Sequence, residues 1–363
     1  MKRNSKKRYF FGFSRWKRKY IRPFFPEEGE NYFCNTLEIA KDRGLDYKSE
    51  IYIWGKKSFP KVEKYAQNNS IALFRVEDGF VRSISLGSDL TKPYSLVVDS
   101  RGIYFDPTHE SDLEYLLNTY EFDEAILERA KKLQQYLIEK KLSKYNASPD
   151  KDIVLNGYKE NQLVVLVPGQ VEDDASIIYG AKGMTNLDLL QVARSNVPNA
   201  YIIYKPHPDV LSGNRKGHVS YKDAMKYADI IITDVSLDSI LVYCDEVHTM
   251  TSLVGFEALI RGKKVCTYGM PFYAGWGLTE DNQSCKRRYT QRNLDELVAA
   301  AFLLYPRYID PVNDNICDVE VTIANIELMK KRYNTNVFYR IGMNARNLIS
   351  RKMQLLLKVI FSE

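Results

Sequence analysis

The sequence predicts an α/β protein with two Rossmann-like domains facing a central cleft. Three observations carry this reading. Short runs of β-branched and aromatic residues alternate with helical stretches between residues 51 and 265. In both halves those runs end in groups suited to a ligand, at the strand edge where open α/β sheets bind. A chain of 363 residues is long enough for two ordinary domains. The expected divisions are a basic and aromatic N-terminal extension (1–48), a first domain (49–150), a second domain (151–310) and a basic amphipathic helical segment (311–363). The linker is expected near 145–160.

The apolar fraction of 45% and charged fraction of 27% are those of a folded globular chain. No apolar run approaches the ~20 residues of a membrane span. No hydrophobic stretch follows the basic N-terminus, so no secretory signal is expected. Five cysteines (Cys34, Cys244, Cys266, Cys285, Cys317) form no CxxC and read as free thiols of a reducing compartment.

The net charge of +6 is unevenly placed. Residues 1–25 hold ten Lys or Arg, from Lys2 and Arg3 to Lys19 and Arg22, and no acid. Tyr9, Phe10, Phe11, Phe13, Trp16, Tyr20, Phe24 and Phe25 are interleaved with them. That mixture suits an anionic membrane surface, and also a solvated tail. Single-stranded nucleic acid is disfavoured, because no RNA-binding signature follows. Residues 330–363 repeat the basic theme, with apolar residues such as Met343, Leu348, Met353, Leu356 and Ile360 at mixed spacings. An amphipathic basic helix is expected there, lying on a membrane or packed on the body.

Residues 26–50 read as a polar approach and a helix. Ile51 to Trp54 is a first strand, a helix spans about 60–68, and Ile71 to Phe74 is a second strand. The second runs into Arg75-Val-Glu-Asp-Gly-Phe-Val-Arg-Ser83. Glu77 and Asp78 then stand at a strand end, with Gly79 giving backbone freedom. One of them suits general acid or base work, and both equally suit a solvated turn. Residues 94–99 and 102–106 read as two short strands, and Ser111 with Glu114 as a capping box. Ile126, Ala130, Leu133 and Leu137 form a helical stripe that Asn146 to Pro149 ends.

In the second half, Gln162 to Pro168 is a buried strand leading into Gly169-Gln-Val-Glu-Asp-Asp-Ala-Ser176. A helix over 186–194 precedes the strand Tyr201 to Tyr204, which stops at Lys205-Pro-His-Pro208 because two prolines cannot continue it. Lys205 and His207 suit an anionic ligand. After a strand at 230–234, Val247 to Ser252 ends in hydroxyls at the start of a helix closed by Gly262. Thr251, Ser252 and Gly255 at such a helix end suit a phosphate. Glu257, about one and a half turns in, suits a ribose hydroxyl. Phe272-Tyr-Ala-Gly-Trp-Gly277 reads as a cleft lining or a packed turn between domains. Arg82 and Arg101 suit a carboxylate or an ion pair; His109, His218 and His248 have no motif context.

The paired-domain arrangement resembles the GT-B glycosyltransferase fold. The ordered set of motifs goes further: Arg75 to Ser83, Pro93 to Asp99 with Gly102 to Asp106, Val167 to Ile177, Tyr204 to Val210 and Phe272 to Thr279. Together they resemble the bacterial capsule-polysaccharide β-Kdo transferases of the KpsC type, over about residues 50–310. The resemblance implies a retaining transferase that moves 3-deoxy-D-manno-octulosonic acid (Kdo) from CMP-β-Kdo to a glycan or lipid-linked acceptor of capsule or lipopolysaccharide. It implies nucleotide binding on the second domain and the acceptor mostly on the first. The basic termini add the expectation of a peripheral place on the cytoplasmic face of the inner membrane.

Retention permits a double displacement with a carboxylate nucleophile and a second acid/base group. By resemblance the nucleophile is Asp174, with Asp173 as its neighbour to be distinguished, and Glu77 or Asp78 is the acid/base. His207 is expected to stabilise the leaving CMP phosphate. Lys205, Thr251, Ser252, Gly255 and Glu257 are expected to hold the nucleotide, and Gln170 the sugar carboxylate. No cofactor is expected. No DxD or His/Cys cluster stands in the motifs, so no metal is expected in the chemical step. Two other readings use part of the same sequence. One is a CDP-glycerol-type glycerophosphotransferase, and the other a non-catalytic membrane-associated scaffold for capsule assembly or export.

Overall fold

Runs such as Tyr9-Phe-Phe11 and Ile51-Tyr-Ile53 carry apolar side chains at successive positions, so strands made from them must bury both faces. The computed structural model describes residues 6–26, 28–83, 91–144, 151–213 and 215–360, with side chains to 350. In it, two sheets meet that requirement. The strands of the first half are β1 (Lys6–Phe11), β2 (Gly29–Cys34), β3 (Glu50–Trp54), β4 (Ala72–Asp78) and β5 (Ser95–Asp99). They are followed by β6 (Val164–Pro168), β7 (Tyr201–Lys205), β8 (Ile230–Ile231), β9 (Glu246–Thr249), β10 (Lys264–Thr267) and β11 (Glu280–Asp281). Then come β12 (Pro306–Ile309) and β13 (Ile316–Cys317).

The first sheet has the order β13-β12-β5-β4-β3-β1-β2, and the second β11-β10-β9-β6-β7-β8. The second is parallel throughout. The first is parallel from β2 to β4 and antiparallel from β4 to β13. The period of two divides each central strand between two cores. Tyr9, Phe11, Ile51 and Ile53 face one side of the first sheet; Phe10, Tyr52, Trp54 and Val76 face the other. In the second sheet Leu166 and Ile203 face one cluster, and Val165, Val167 and Ile202 the opposite one. The Leu166 cluster runs on through Phe80, Phe256, Phe272 and Trp276, so one apolar body joins the two sheets. This is the α/β, GT-B-like architecture expected from the sequence.

Both outer divisions need correction. The N-terminal segment is no extension: β1 pairs with both β2 and β3 inside the first sheet. Tyr9, Phe10, Phe11, Phe13, Phe24 and Phe25 are buried. Its cations are built in as well. Lys6 pairs with Glu50 at 2.6 Å, Arg8 is buried beside Glu50, and Lys17 lies 3.3 Å from the Trp54 ring centroid. Of the rings suited to a membrane surface, Tyr9, Phe10 and Phe11 are instead the core of a parallel strand, Phe13, Phe24 and Phe25 pack beside it, and Trp16 and Tyr20 are half-buried. Lys2 and Arg3 lie outside the described residues.

At the other end the boundary at 310 cuts through the first sheet, because β12 pairs with β5 and β13 with β12. The chain therefore crosses back before its last two helices, Val319–Thr335 and Val337–Ile360. Met353, Leu356 and Ile360 have no described side chains.

Local expectations fared unevenly. The helix Glu124–Glu139 buries Ala130, Leu133 and Leu137 as its stripe requires; its expected stop at Asn146 to Pro149 lies outside the described residues. Residues 29–34 form a strand where a polar approach was expected. Residues 102–106 form no strand. Their turn is fixed by Asp99, whose Oδ1 accepts from the Arg101, Gly102 and Asp112 amides and whose Oδ2 accepts from Tyr305.

Ser111 caps its helix by accepting from the Glu114 amide, but Glu114 does not complete the box. Its carboxylate binds Arg287 at 2.7 Å and Arg288 at 3.1 Å instead. A buried guanidinium needs that charge more than a neutral cap amide does. Arg288 also donates to the Pro271 and Ala274 carbonyls, fixing the Phe272–Gly277 turn. Glu114→Gln is expected to cost about 3–5 kcal/mol in denaturant unfolding, because it leaves Arg288 buried and uncompensated.

Candidate active site

Register brings the strand-end motifs of the second sheet together. Pro168 is paired with Lys205, so Gly169-Gln170 and Pro206-His207 leave β6 and β7 side by side. Gly169 is required there: a Cβ would stand 3.1 Å from the Pro206 Cα and 2.9 Å from the Tyr204 hydroxyl. Across from this edge, β4 delivers Glu77 and Asp78. Between the sheets lies a cavity of about 670 Å³ lined by Glu77, Asp78, Gln170, Asp174, Lys205, His207, Thr251, Ser252 and Glu257.

The two acids of the first domain have different environments. Asp78 receives the Arg82 Nε at 2.8 Å and has Lys17 Nζ at 3.6 Å. Burial opposes its charge, but the two cations outweigh burial and hold the carboxyl well below the usual range. Glu77 is pushed up to about 7, chiefly by burial and further by the Asp78 charge, with Lys17 pulling the other way. One acid stays ionised while its neighbour titrates near neutrality, an arrangement suited to acid/base work by Glu77. Arg82 is fully buried in the Asp78 pair, and Arg101 sits on Glu110, Asp112 and the Tyr115 ring away from the cavity. Gly79 supplies space, not freedom: a Cβ there would meet the Ser95 Oγ at 2.4 Å.

In the second domain Asp174 caps the helix Ala175–Gly180, its Oδ1 accepting from the Ser176 amide at 3.0 Å and hydroxyl at 2.8 Å. Asp173 does not line the cavity; it turns outward to Arg215 at 3.1 Å. His207 caps the short helix Pro208–Leu211, its Nδ1 accepting from the Asp209 amide at 3.1 Å. The ring proton is thereby assigned to Nε2. Burial lowers its pKa, partly offset by Asp209 and Asp174, and keeps the ring neutral. Lys205 is lowered to about 8 by burial and donates to the Val235 carbonyl at 2.9 Å.

Gln170 borders the cavity, but its amide is engaged: Oε1 accepts from the Thr251 amide at 3.0 Å and Nε2 donates to the Thr251 hydroxyl at 3.0 Å. It orients the Thr251–Ser252 loop. Ser252 caps the helix Leu253–Ile260. Glu257 accepts the Lys144 amide at 2.8 Å, and burial raises its pKa. Gly255 lies outside the lining and gives room to Tyr273, whose hydroxyl would stand 2.2 Å from a Cβ. Phe272 reaches the cavity, while Tyr273 and Trp276 are buried behind it. His109 and His218 are exposed; His248 is buried between Glu246 and Tyr268.

Sequence reasoning missed Lys17, Tyr104, Lys144 and a helical wall of Lys330, Tyr333, Asn344 and Asn347. Tyr104 stood in a quoted motif. The others sit in basic stretches with no local pattern to single them out.

Comparison with known proteins is decisive at this point. The family model of capsule polysaccharide biosynthesis proteins matches residues 49–309. The chain belongs to this family. It is 45% identical over 331 residues to the capsule polysaccharide modification protein LipA of Neisseria meningitidis, covering 90% of the chain and 46% of LipA. The chain thus spans about half the length of that relative. It is 40% identical over 326 residues to the lipopolysaccharide-processing protein LpsZ of Rhizobium meliloti, covering 88% of the chain and 74% of LpsZ. Among solved structures it resembles the Thermosulfurimonas dismutans KpsC beta Kdo 2,7 transferase, with TM-score 0.73, 38% identity and coverage of 90% of this chain and 100% of that one. The beta Kdo 2,4 transferase of the same KpsC gives TM-score 0.74, 31% identity and coverage of 88% and 97%. The family match spans all five motif segments used in the sequence reading.

Proposed function

We propose that this chain is a retaining β-Kdo transferase, taking Kdo from CMP-β-Kdo to a glycan or lipid-linked acceptor in capsule or lipopolysaccharide synthesis. The observation that carries the reading is one cavity that gathers Glu77 from the first sheet with Asp174 and His207 from the second. The resemblance to whole KpsC transferase units supports it.

In the proposed sequence Asp174 attacks the anomeric carbon, forming a glycosyl ester as the bond to the CMP phosphate breaks. The neutral His207 donates its Nε2–H to the departing phosphate, and the amides at Ser252 add the positive end of a helix. Glu77 then takes the proton of the acceptor hydroxyl, whose oxygen displaces Asp174 and restores the carboxylate. Two inversions give net retention.

The assay is CMP release from CMP-Kdo with a panel of Kdo-terminated acceptors, and NMR of the product. CMP release with a new β-Kdo linkage is expected. An α linkage would refute the double displacement. Turnover of CDP-glycerol in place of CMP-Kdo would establish the glycerophosphate reading, and glycan binding with neither donor consumed would establish the scaffold.

The cavity's own cations, Lys141, Lys144, Lys205, Arg215 and Lys330, are suited to the donor's charge without a metal. We expect the turnover rate to be unchanged by EDTA.

We also place the protein peripherally on the cytoplasmic face of the inner membrane. No helix among the described residues is long and apolar enough to cross a membrane. The last helix exposes Phe338, Ile341, Leu348 and Ile349, with Phe338 87% exposed, and Arg340 and Arg346 lie on the same helix. That pattern suits an anionic surface. Cosedimentation with phosphatidylglycerol vesicles is expected. It should weaken at high salt and in Phe338→Ser, and should be absent with phosphatidylcholine alone.

A further inference from the structure

Transfer needs a second sugar in the cavity, with one of its hydroxyls at Glu77. A sugar ring presents C–H bonds on its faces, and the electron-rich face of an aromatic side chain attracts them. The aromatic side chains of the lining are Phe80, Tyr104, Phe105, Phe272 and Tyr333. Phe80 and Phe272 are buried against each other, with ring centroids 4.5 Å apart. Tyr104 packs its ring among Phe80, Phe272 and Tyr305. Tyr333 stands on the helical wall and donates its hydroxyl to Asn344 at 2.8 Å. Phe105 is half-buried, and its one ring neighbour among the described residues is Tyr104, at 5.4 Å and 85°.

The turn that carries Phe105 is anchored on both sides of the cleft. On the first-domain side, a Cβ at Gly55 would stand 3.0 Å from Glu77 Oε2 and 4.0 Å from Phe105 Cζ, so the acid and the ring edge are near neighbours. The next residue, Asp106, is buried and pairs with Lys56 at 2.7 Å. On the second-domain side, Lys56 Nζ lies 5.2 Å from the centroid of the Tyr179 ring. Tyr179 belongs to the helix Ala175–Gly180, which Asp174 caps. Arg287 donates to the Pro107 carbonyl at 2.6 Å, and a Cβ at Gly180 would stand 3.8 Å from Pro107 Cδ. The turn thus ties the strand end that bears Glu77 to the helix that bears Asp174, and Phe105 enters the cavity from it.

We infer that the Phe105 ring is the platform on which the acceptor sugar stacks, holding the attacking hydroxyl at Glu77. This rests on the transferase reading above and adds to it the acceptor's place. The groups suited to the nucleotide, His207 and the helix end at Ser252, belong to the second domain, whereas Phe105 and Glu77 belong to the first.

The test compares Phe105→Ala, Phe105→Leu and Tyr333→Ala with wild type. It uses the Kdo-terminated oligosaccharide that wild type extends best. KM is measured for that acceptor and for CMP-Kdo, together with inhibition by CMP. Losing the ring should raise the acceptor KM of Phe105→Ala by about 10- to 100-fold, the scale of burying one large apolar side chain. Phe105→Leu keeps apolar bulk without a flat face and should lose most of the same affinity. The donor KM and CMP inhibition should stay within about twofold, which also reports an intact fold. If Phe105→Ala does not fold, Phe105→Leu is read in its place.

An acceptor KM equal to wild type overturns the inference. So does an equal rise in the donor KM, which would put the donor sugar on the ring, and so does full acceptor affinity in Phe105→Leu. A rise in acceptor KM in Tyr333→Ala but not in Phe105→Ala would move the platform to the helical wall. Failure of wild type to consume CMP-Kdo would instead sink the transferase reading, so the two failures are distinguishable.

Discussion

Asp174→Asn is expected to lower kcat for Kdo transfer on the order of 10⁴-fold or more, the scale seen when a covalent nucleophile is removed. Asparagine is the better probe than alanine for a structural reason. Asp174 caps the helix Ala175–Gly180 through Oδ1. An Asn keeps an oxygen there and caps as well as Asp, whereas Ala would add about 1 kcal/mol of helix destabilisation to the chemical effect. The variant should therefore keep its unfolding temperature and its affinity for CMP while losing turnover. Asp173→Ala is the matched control. Asp173 lies outside the cavity lining and pairs, partly exposed, with Arg215, which does border the cavity, so its loss should cost at most about 1 kcal/mol of stability and change activity far less than loss of Asp174. Activity within tenfold of wild type in Asp174→Asn would remove Asp174 from the nucleophile role and make Asp78 the next carboxylate to test.

Glu77→Gln should lower kcat by about 10²- to 10⁴-fold, the range for losing a general acid or base. Because Glu77 titrates at about 7 and must be ionised to accept the acceptor proton, wild-type kcat should rise with pH through that value and then level off. The residual activity of Glu77→Gln should lack that limb. The leaving phosphate needs little protonation, so the acceptor step should suffer most. Burst release of CMP and a Kdo ester on Asp174, visible by mass spectrometry of Glu77→Gln, would mark that step.

Stability carries the same signature with a definite sign. Burial raises the folded pKa of Glu77 above its ordinary 4.5, so the folded state holds the proton more tightly. Its contribution is fully present below about 4.5 and is lost as pH rises through about 7. Glu77→Gln should therefore gain unfolding temperature relative to wild type between pH 5 and pH 8. An identical pH dependence in both proteins would contradict the raised pKa.

How far the sequence could be read depended on whether the controlling physics was local. Lys205-Pro-His-Pro208 ends a strand because proline lacks an amide donor, and a reader needs no tertiary contact to see it. Ser252 caps its helix through the next two residues, and the stripe of Glu124–Glu139 repeats at helical period. These fixed the strand ends, and so fixed which residues face the cleft. The misreadings came where a side chain's fate is set by a partner distant in sequence. Glu114 matches a capping box locally but answers to Arg288, more than 170 residues away. Gln170, expected to hold the sugar carboxylate, has its amide engaged by Thr251, 81 residues away in the chain.

Charge and aromatic content alone left the basic N-terminal segment open between an anionic membrane surface and a solvated tail. Only the sheet decided that Tyr9, Phe10 and Phe11 rest on the protein itself: β1 lies between β2 and β3, where both faces are buried. The same placement carries Lys17 to 3.6 Å from Asp78, where together with Arg82 it keeps that acid ionised. Motifs along the chain determined the two-domain class and most of the cavity's residues, because strand ends are written locally. The division of labour between Glu77 and Asp78 and the outward turn of Asp173 were decided by tertiary structure. Burial and through-space charge depend on what the fold brings near, and the chain's order does not record it.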